Sequence, residues 1–479
     1  MRDPSNLTSL LEVYPPLGVF RRALADCGGR VMLVGGALRD YYLGRPCCDF
    51  DFAVENGAIA LSRKLARRLK ASFVLLDAQA GCARIVKKSD GAVWTFDLTD
   101  WRGTSIRQDL HKRDFTINAL ATDIKAASMD PLEILEAKGA RRDIKAGRIR
   151  MVGPKAFKDD PLRLLRAFSL SAGLGFQIDA RTRLQIKKDA RLITAAAVER
   201  VREEIFKVLT SPRAYETLSD MDKMGLLPRV MPQITVMYGI HQGGYHHLDV
   251  WRHSLDVVRN LEKLTQEPGF DGRIKAYLDE IIGGGHTRAA LLKMAALLHD
   301  IGKPQTRRQA QGRTTFHGHE HAGERITRLV ARQLKLSVKE RYFLEDAVRM
   351  HLRPGYLSNF KRPSEKAVFR YMRDSGAEAA GIALLAMADQ AATRGPLTTG
   401  EKTRHHAKIC RMLLERYFAS KEQKPRQRLL TGHDLINVLK LKPSELFGKI
   451  LSQVEEAHAL GKIKTKQEAL ALARKILKD

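Results

Sequence analysis

The chain has 479 residues, more than one ordinary compact domain holds, so two to four domains with cores of their own are expected. Lys and Arg number 83 against 54 Asp and Glu, a net charge of +29 that suits a polyanionic partner such as nucleic acid. Cys27, Cys47, Cys48, Cys82 and Cys410 form no CxxC pair, which argues against a zinc ribbon or a secreted disulfide framework. With neither a leader-like N-terminus nor an apolar run of about 18 residues, the chain reads as a cytoplasmic protein with no membrane partner.

From about Arg30 to Asp130, the β-rich runs RVMLV, DFDFAV, SFVLL and VWTFDL alternate with helical pattern, and Gly57 to Leu69 reads as an amphipathic helix between the second and third runs. After Asp159 the apolar spacing becomes three to four residues and strand signals nearly vanish. The expected class is α+β, a mixed head followed by helices, with joints at Lys138 to Pro154, Pro228 to Gly244 and Leu397 to Arg404.

The first chemical constellation is VMLVGGALRDYYLGRPCCDFDFAV, Val31 to Val54. An apolar strand runs into Gly35-Gly36, a helix start carries Arg39 and Asp40, and a second strand carries Asp49 and Asp51. Period-two spacing sends both carboxylates to one face, the arrangement Mg²⁺ prefers, which is a few carboxylates plus substrate phosphates. The glycines would let backbone N–H groups approach a triphosphate, and Arg39 could add side-chain donors. Asp97, in VWTFDL, is either a third carboxylate of that site or an ordinary strand-end acid.

This segment resembles the head of the class II tRNA nucleotidyltransferase and bacterial poly(A) polymerase family, whose pattern is GGxVRD, then LLG, then DxD. Three later segments resemble the family's next blocks in order: KRDFTINA at Lys112 to Ala119, Asp130-Pro131 with Asp143 and Arg150, and DDPLRLLR at Asp159 to Arg166. The resemblance implies a polymerase β-like palm in which Asp49 and Asp51 bind catalytic Mg²⁺ and Arg113 and Asp114 help form the nucleotide site. It also implies that Asp160 and Arg163 read the base edge of the incoming CTP or ATP, a role consistent with an acceptor and a donor three residues apart at a helix start. Arg166 and Arg200 are expected to make phosphate or structural contacts. The chain has Cys47-Cys48 where relatives often carry Lys or His, and Asp159 where they carry Glu. Arg84 to Leu98 lacks a GRRF-type stretch, so CCA, CC alone, A alone and poly(A) all stay open as products.

Histidines crowd the region from His241 to His351, and LLHDIGKP at Leu297 to Pro304 resembles the HD phosphohydrolase superfamily. A His and an Asp adjacent in sequence cannot share one helix face, so they reach one ion only together with ligands from other helices. His253, His299, Asp300 and Asp389 are the expected set for a divalent metal. His319 and His351 are expected to add a second metal or bind substrate phosphate, and His317 and His321 read as polar loop residues. Leu430 to Leu477 resembles the family's tail, which would hold tRNA through phosphate contacts.

The expected domains are a nucleotidyltransferase head (1–150), a helical nucleotide-selecting and RNA-binding neck (151–235), an HD-like domain (236–400) and a tRNA-binding tail (401–479). The expected activity is addition of CCA, or part of it, to tRNA 3′ ends, joined to a phosphatase or phosphodiesterase. An HD phosphohydrolase with an RNA-binding head is the alternative of another class.

Overall fold

The computed structural model describes residues 7–89, 91–125, 133–137, 139–267, 272–310, 313–423 and 427–477. Asp130-Pro131 of the third block lies outside the described residues. Two compact units emerge, residues 1–211 with 220–230, and residues 212–219 with 231–479.

The first unit is built on a seven-stranded sheet: β1 Val31–Val34, β2 Asp49–Val54, β3 Ser72–Asp77, β4 Cys82–Ser89, β5 Ala92–Asp100, β6 Leu120–Asp123 and β7 Leu135–Glu136, in spatial order β3-β4-β5-β2-β1-β6-β7. Only β2 and β5 pair in parallel, placing Asp51 beside Asp97; the other pairs are antiparallel. Along β2, Asp49 and Asp51 face outward while Phe50 and Phe52 are buried. Phe20 stacks on Phe52 and Phe96 beneath them, with centroids at 4.3 and 4.7 Å, so the apolar face of the strand fixes where the acidic face points.

The expected helix at 57–69 is observed at Ala58–Arg68, with Gly57 in the left-handed region just before it. Strand β4 has no counterpart among the expected strands. Arg84, Lys87 and Lys88 interrupt its apolar pattern, and what specifies it is pairing with β5 along its whole length.

After Asp159 the first unit is mostly helical, with Arg163–Leu174 and Val198–Thr210 as its principal helices, and Gln177–Ile178 pairs back with Arg148–Ile149 ahead of that point. The second unit is a helical assembly. At its centre, Arg288–Leu298 (RAALLKMAALL) is buried at every position except Ala289, because apolar side chains occupy all of its faces. Val250–Thr265, Val338–Met350 and Ala379–Ala392 pack against it. The last segment closes a smaller core from Leu430, Leu435, Ile450, Val454, Ile463, Ala469 and Ala473. Among the described residues, no helix is long and apolar enough to cross a membrane.

Candidate active sites

The first site is a cleft of about 210 Å³ at the C-terminal end of β1. Its lining includes Gly35, Gly36, Asp51, Arg113, Asp114, Asp160, Arg163 and Arg166 from the expected set. Gly35 adopts φ +79°, and a Cβ there would lie 3.3 Å from an Arg113 guanidinium nitrogen and 3.4 Å from Asp51 Oδ2. The backbone conformation calls for glycine, and a side chain there would press on the Arg113 guanidinium. Although Asp51 faces outward, the surrounding cleft walls displace enough water to raise its carboxyl above its ordinary value; Asp97 and Asp49 push the same way against Arg113 and Arg166. Asp49, which accepts a hydrogen bond from the Thr95 hydroxyl, lies on the same strand face but does not line the cleft.

Burial opposes ionisation of Asp114. Burial is the largest single influence, but the charge and hydrogen bond of Arg166, the Phe115 N–H at 2.7 Å and the Asn118 amide at 3.2 Å together outweigh it, so the carboxyl is held below its ordinary range. Arg166 Nε donates to Asp114 Oδ2 at 2.6 Å, and Arg113 Nε to Asp109 Oδ2 at 2.9 Å. Altogether five arginines, Arg102, Arg113, Arg163, Arg166 and Arg200, surround four aspartates in this cleft. That balance suits a polyphosphate accompanied by cations.

Four expected residues, Arg39, Asp97, Asp160 and Arg163, have partners that the sequence reading did not give them. Arg39 forms a two-pronged pair with Asp40, both contacts 2.9 Å, and donates to Asn118 Oδ1 at 2.6 Å, so its donors are engaged by protein groups at the edge of the cleft, which Arg39 itself does not line. Asp97 lies beside Asp51, but Arg84 takes both its oxygens at 2.7 Å. No third ligand atom joins Asp49 and Asp51 within 4.8 Å among the described residues.

Asp160 and Arg163 both line the cleft but do not project as a pair. Asp160 precedes Pro161, which disfavours helical backbone for the residue before it, and it is extended at φ −148°, ψ 102°. It pairs with Arg200 at 2.9 Å, whereas the buried Arg163 guanidinium donates to the backbone carbonyls of Lys112, Arg113 and Ala156. Asn118, inside the KRDFTINA segment, was missed as a site residue. It links Arg39 to Asp114, a role visible only once residues far apart in the chain are brought together.

The second site lies in the second unit. His299 and Asp300 follow directly on the buried Arg288–Leu298 helix, which carries them into the core, where they are 0 % and 1 % exposed. Two ligand groups meet there, His253 with His299 and Asp389, and Asp300 with His319 and His351; within each, the ligand atoms lie within 4.8 Å of one another. The six residues of the sequence reading are therefore brought together, but Asp300 groups with the accessory histidines. It is placed between the sets, Oδ2 3.1 Å from His299 Nε2 and Oδ1 3.3 Å from His319 Nε2.

The ring orientations fit a metal. His299, His319 and His351 each direct Nδ1 at the carbonyl three residues earlier, Ala296, Phe316 and Val348, at 2.9, 2.8 and 2.6 Å. An N–H there leaves Nε2 as a lone-pair donor aimed inward, the arrangement of metal-bound histidine. His299 Nε2 is fully buried and faces the Asp300 and Asp389 carboxylates at 3.1 and 3.7 Å, where a coordinating atom would be. Despite burial, Asp300 and Asp389 raise the His299 imidazole to about 10, a measure of the negative field in which a cation would replace the proton.

The sequence reading also passed over Lys303, whose ammonium bridges Asp300 and Gln242 at 2.6 Å each, and His246, packed edge-on against His253 with centroids 4.7 Å apart. His317 lines the adjoining cavity of about 580 Å³, and His321 is exposed on the His319–Gln333 helix.

Comparison with known proteins agrees with this division. Residues 31–150 match the poly A polymerase head domain and residues 250–385 the HD domain. Residues 175–237 match the RNA- and SrmB-binding site of polymerase A, and residues 403–473 tRNA nucleotidyltransferase domain 2. The chain is 31% identical over 471 residues to the A-adding tRNA nucleotidyltransferase of Deinococcus radiodurans, covering 96% of this chain and 97% of that one. It is 32% identical over 447 residues to the CC-adding tRNA nucleotidyltransferase of Thermus thermophilus, covering 91% and 92%. Its fold is similar to that of a CCA-adding enzyme solved with ATP, with TM-score 0.65 and 20% identity over 99% of both chains. The Thermotoga maritima CCA-adding enzyme complexed with tRNA is similar at TM-score 0.62 and 20% identity, over 100% of this chain and 98% of that one.

Proposed function

The chain belongs to the tRNA nucleotidyltransferase family, and from that premise we propose that it adds the CCA end, or part of it, to tRNA in the cytoplasm, drawing on CTP and ATP. The observation that carries the reading is Asp51, on the acidic face of β2, opening onto an arginine-lined cleft with Asp49 beside it on the same strand face. Asp49 and Asp51 would hold Mg²⁺, which supplies charge neutralisation at the triphosphate and a more acidic 3′-hydroxyl. The chain's own groups do the rest. Arg113 and Arg166, held by Asp109 and Asp114, bind phosphate oxygens, and the backbone at Gly35 and Gly36 leaves room for them. Asp160 accepts from the incoming base once Arg200 turns to the substrate, and Arg163 braces the Lys112-Arg113 backbone behind the base. The head spans 1–150, the neck 151–235, the HD-like domain 236–400 and the tRNA-gripping tail 401–479 in this reading.

The relatives from Deinococcus and Thermus, one A-adding and one CC-adding, match almost equally, so the product is decided by assay. Purified protein is incubated with Mg²⁺, labelled CTP or ATP, and tRNA lacking CCA, tRNA ending in CC, or unstructured RNA. Incorporation of both nucleotides onto the first substrate is expected of a full CCA-adder, C alone of a CC-adder, and A on the second substrate alone of an A-adder. Long A tails on unstructured RNA would make the chain a poly(A) polymerase, and no incorporation anywhere would sink the proposal.

For the second site we propose metal-dependent hydrolysis of phosphate or cyclic phosphate esters at RNA ends. His253, His299, Asp300, Asp389, His319 and His351 would hold the divalent metal, which would supply an activated water. Lys303, pinned between Asp300 and Gln242, presents a fixed positive charge to the ester. This activity is tested by release of phosphate from RNA ending in 3′-phosphate, with and without a chelator.

A further inference from the structure

The cavity over the second site holds more than phosphate chemistry requires. Its floor carries Asp300, His319, His351 and Asp389, and Lys303 and Lys402 add positive charge. Its volume of about 580 Å³ is in the range of sites that enclose a whole small molecule. Two lining residues are large aromatics left open to water, Tyr245 at 52% and Tyr356 at 55% exposure.

These rings are not surface accidents on loose chain. The Tyr245 carbonyl accepts from Gly395 N at 2.7 Å and from the Thr398 hydroxyl at 3.2 Å, while Leu397 N donates to Gly244 O at 3.1 Å. The strands of chain lie so close that a Cβ at Gly395 would meet the Tyr245 carbonyl carbon at 2.2 Å, so the backbone carrying the ring is fixed. His246, the next residue, packs edge-on against His253, and Tyr245 and His246 both line the cavity, so this stretch of backbone ties the Tyr245 ring to the metal-ligand cluster. Tyr356 is carried by the short Arg353–Ser358 helix, which starts two residues after His351.

A phosphate group needs the metal floor and the lysines. It has no use for exposed aromatic faces, whereas a nucleobase does, because every base stacks on an aromatic ring with little regard to its identity. The geometry points to Tyr245 and Tyr356 as specificity-determining residues that hold the nucleobase of a ribonucleoside 2′,3′-cyclic phosphate or 3′-phosphate while its phosphate lies over the metal floor. This rests on the hydrolytic reading of the site. In the cyclic case, the oxygen of water bonds to phosphorus, one ribose P–O bond breaks, and the departing ribose oxygen takes a proton. Recognition through the face of the base makes the site indifferent to which nucleotide ends the strand.

The test uses the full chain with Mn²⁺ and two esters of the same phosphate chemistry, adenosine 2′,3′-cyclic phosphate and the base-free methyl riboside 2,3-cyclic phosphate. Tyr245→Ala and Tyr356→Leu are each expected to raise KM for the adenosine ester about tenfold, in the range of one lost stacking contact. They should leave kcat and the base-free ester unchanged, and Tyr245→Phe and Tyr356→Phe should restore KM. Equal effects on both esters, or none on either, overturn the assignment while leaving the hydrolytic reading intact. Equilibrium dialysis of labelled adenosine 2′,3′-cyclic phosphate, with the head saturated by CTP, gives a second readout. If wild type turns over neither ester, the hydrolytic reading fails and dialysis decides alone: weaker binding by the Ala and Leu variants upholds the base platform, and unchanged binding overturns it. An oligonucleotide ending in the same cyclic phosphate separates the two sources of that group, a lower KM than the mononucleotide marking the strand end as the substrate.

Discussion

The two sites are organised in opposite ways. In the first, charged side chains hold one another: Arg166 with Asp114, Arg113 with Asp109, Arg200 with Asp160 and Arg84 with Asp97. Each pair can exchange a protein partner for a substrate group, so much of this site is completed by what binds. In the second, backbone carbonyls orient three of the histidines and the ligands are almost entirely buried, so the site exists before any substrate arrives. A polymerase head has to accommodate a changing primer end, whereas a hydrolytic site needs a constant metal geometry.

The largest expected effect would break the comparison cleanly. Asp51→Asn should lower nucleotide incorporation by on the order of 10³-fold, since it removes a carboxylate from the charged centre of the transfer. It should leave phosphate release from 3′-phosphorylated RNA unchanged, and His299→Ala should do the reverse. Loss of both activities in either variant would show that the sites are not separable.

Next in size is Arg166→Met, which leaves the buried Asp114 carboxylate without its main partner. Because Arg166 is itself partly exposed, a loss of roughly 2–3 kcal/mol is expected, below the cost of breaking a fully buried pair. The measurement is denaturant unfolding of the variant, with Asp114→Asn in the same background expected to recover part of the loss.

His246 sharpens the other side. Burial, then the charges of Lys303 and His253, lower its pKa from 6.5 to about 3. A histidine held neutral in the fold binds fewer protons than the unfolded chain, so its contribution is intact above pH 6.5 and is lost as pH falls from there towards 3. At pH 5 the loss is up to about 2 kcal/mol. Unfolding curves at pH 7 and pH 5 should therefore differ less for His246→Gln than for wild type, and an unchanged difference would refute the assignment.

The smallest effect concerns scaffolding. Ser337 and Glu340 form a reciprocal cap at the start of Val338–Met350, the helix that delivers His351. Ser337→Ala should cost about 1 kcal/mol of stability, read from the thermal midpoint, with little change in metal-dependent hydrolysis.

Legibility in the sequence followed the range of the interaction. The Gly35 turn and the shared face of Asp49 and Asp51 are encoded in spacings of a few residues, and both were readable. Strand β4 was not, because its charged residues conceal the alternation and its partner strand specifies it. Asp160 and Arg163 take different partners for a local reason within reach of the sequence: Pro161 keeps Asp160 out of the helix.

By itself, then, the sequence determined the α+β head, the helical remainder, the family blocks and the kinds of chemistry available. Tertiary structure alone decided that Arg39 turns to Asp40 and Asn118, that Arg84 claims Asp97, that Asp300 groups with His319 and His351, and that Tyr245 and Tyr356 face one cavity. Periodicity tells which face of an element a side chain occupies. Which partner waits across that face, 79 residues away for Arg39 and Asn118 and 136 for His253 and Asp389, is settled only when the elements pack.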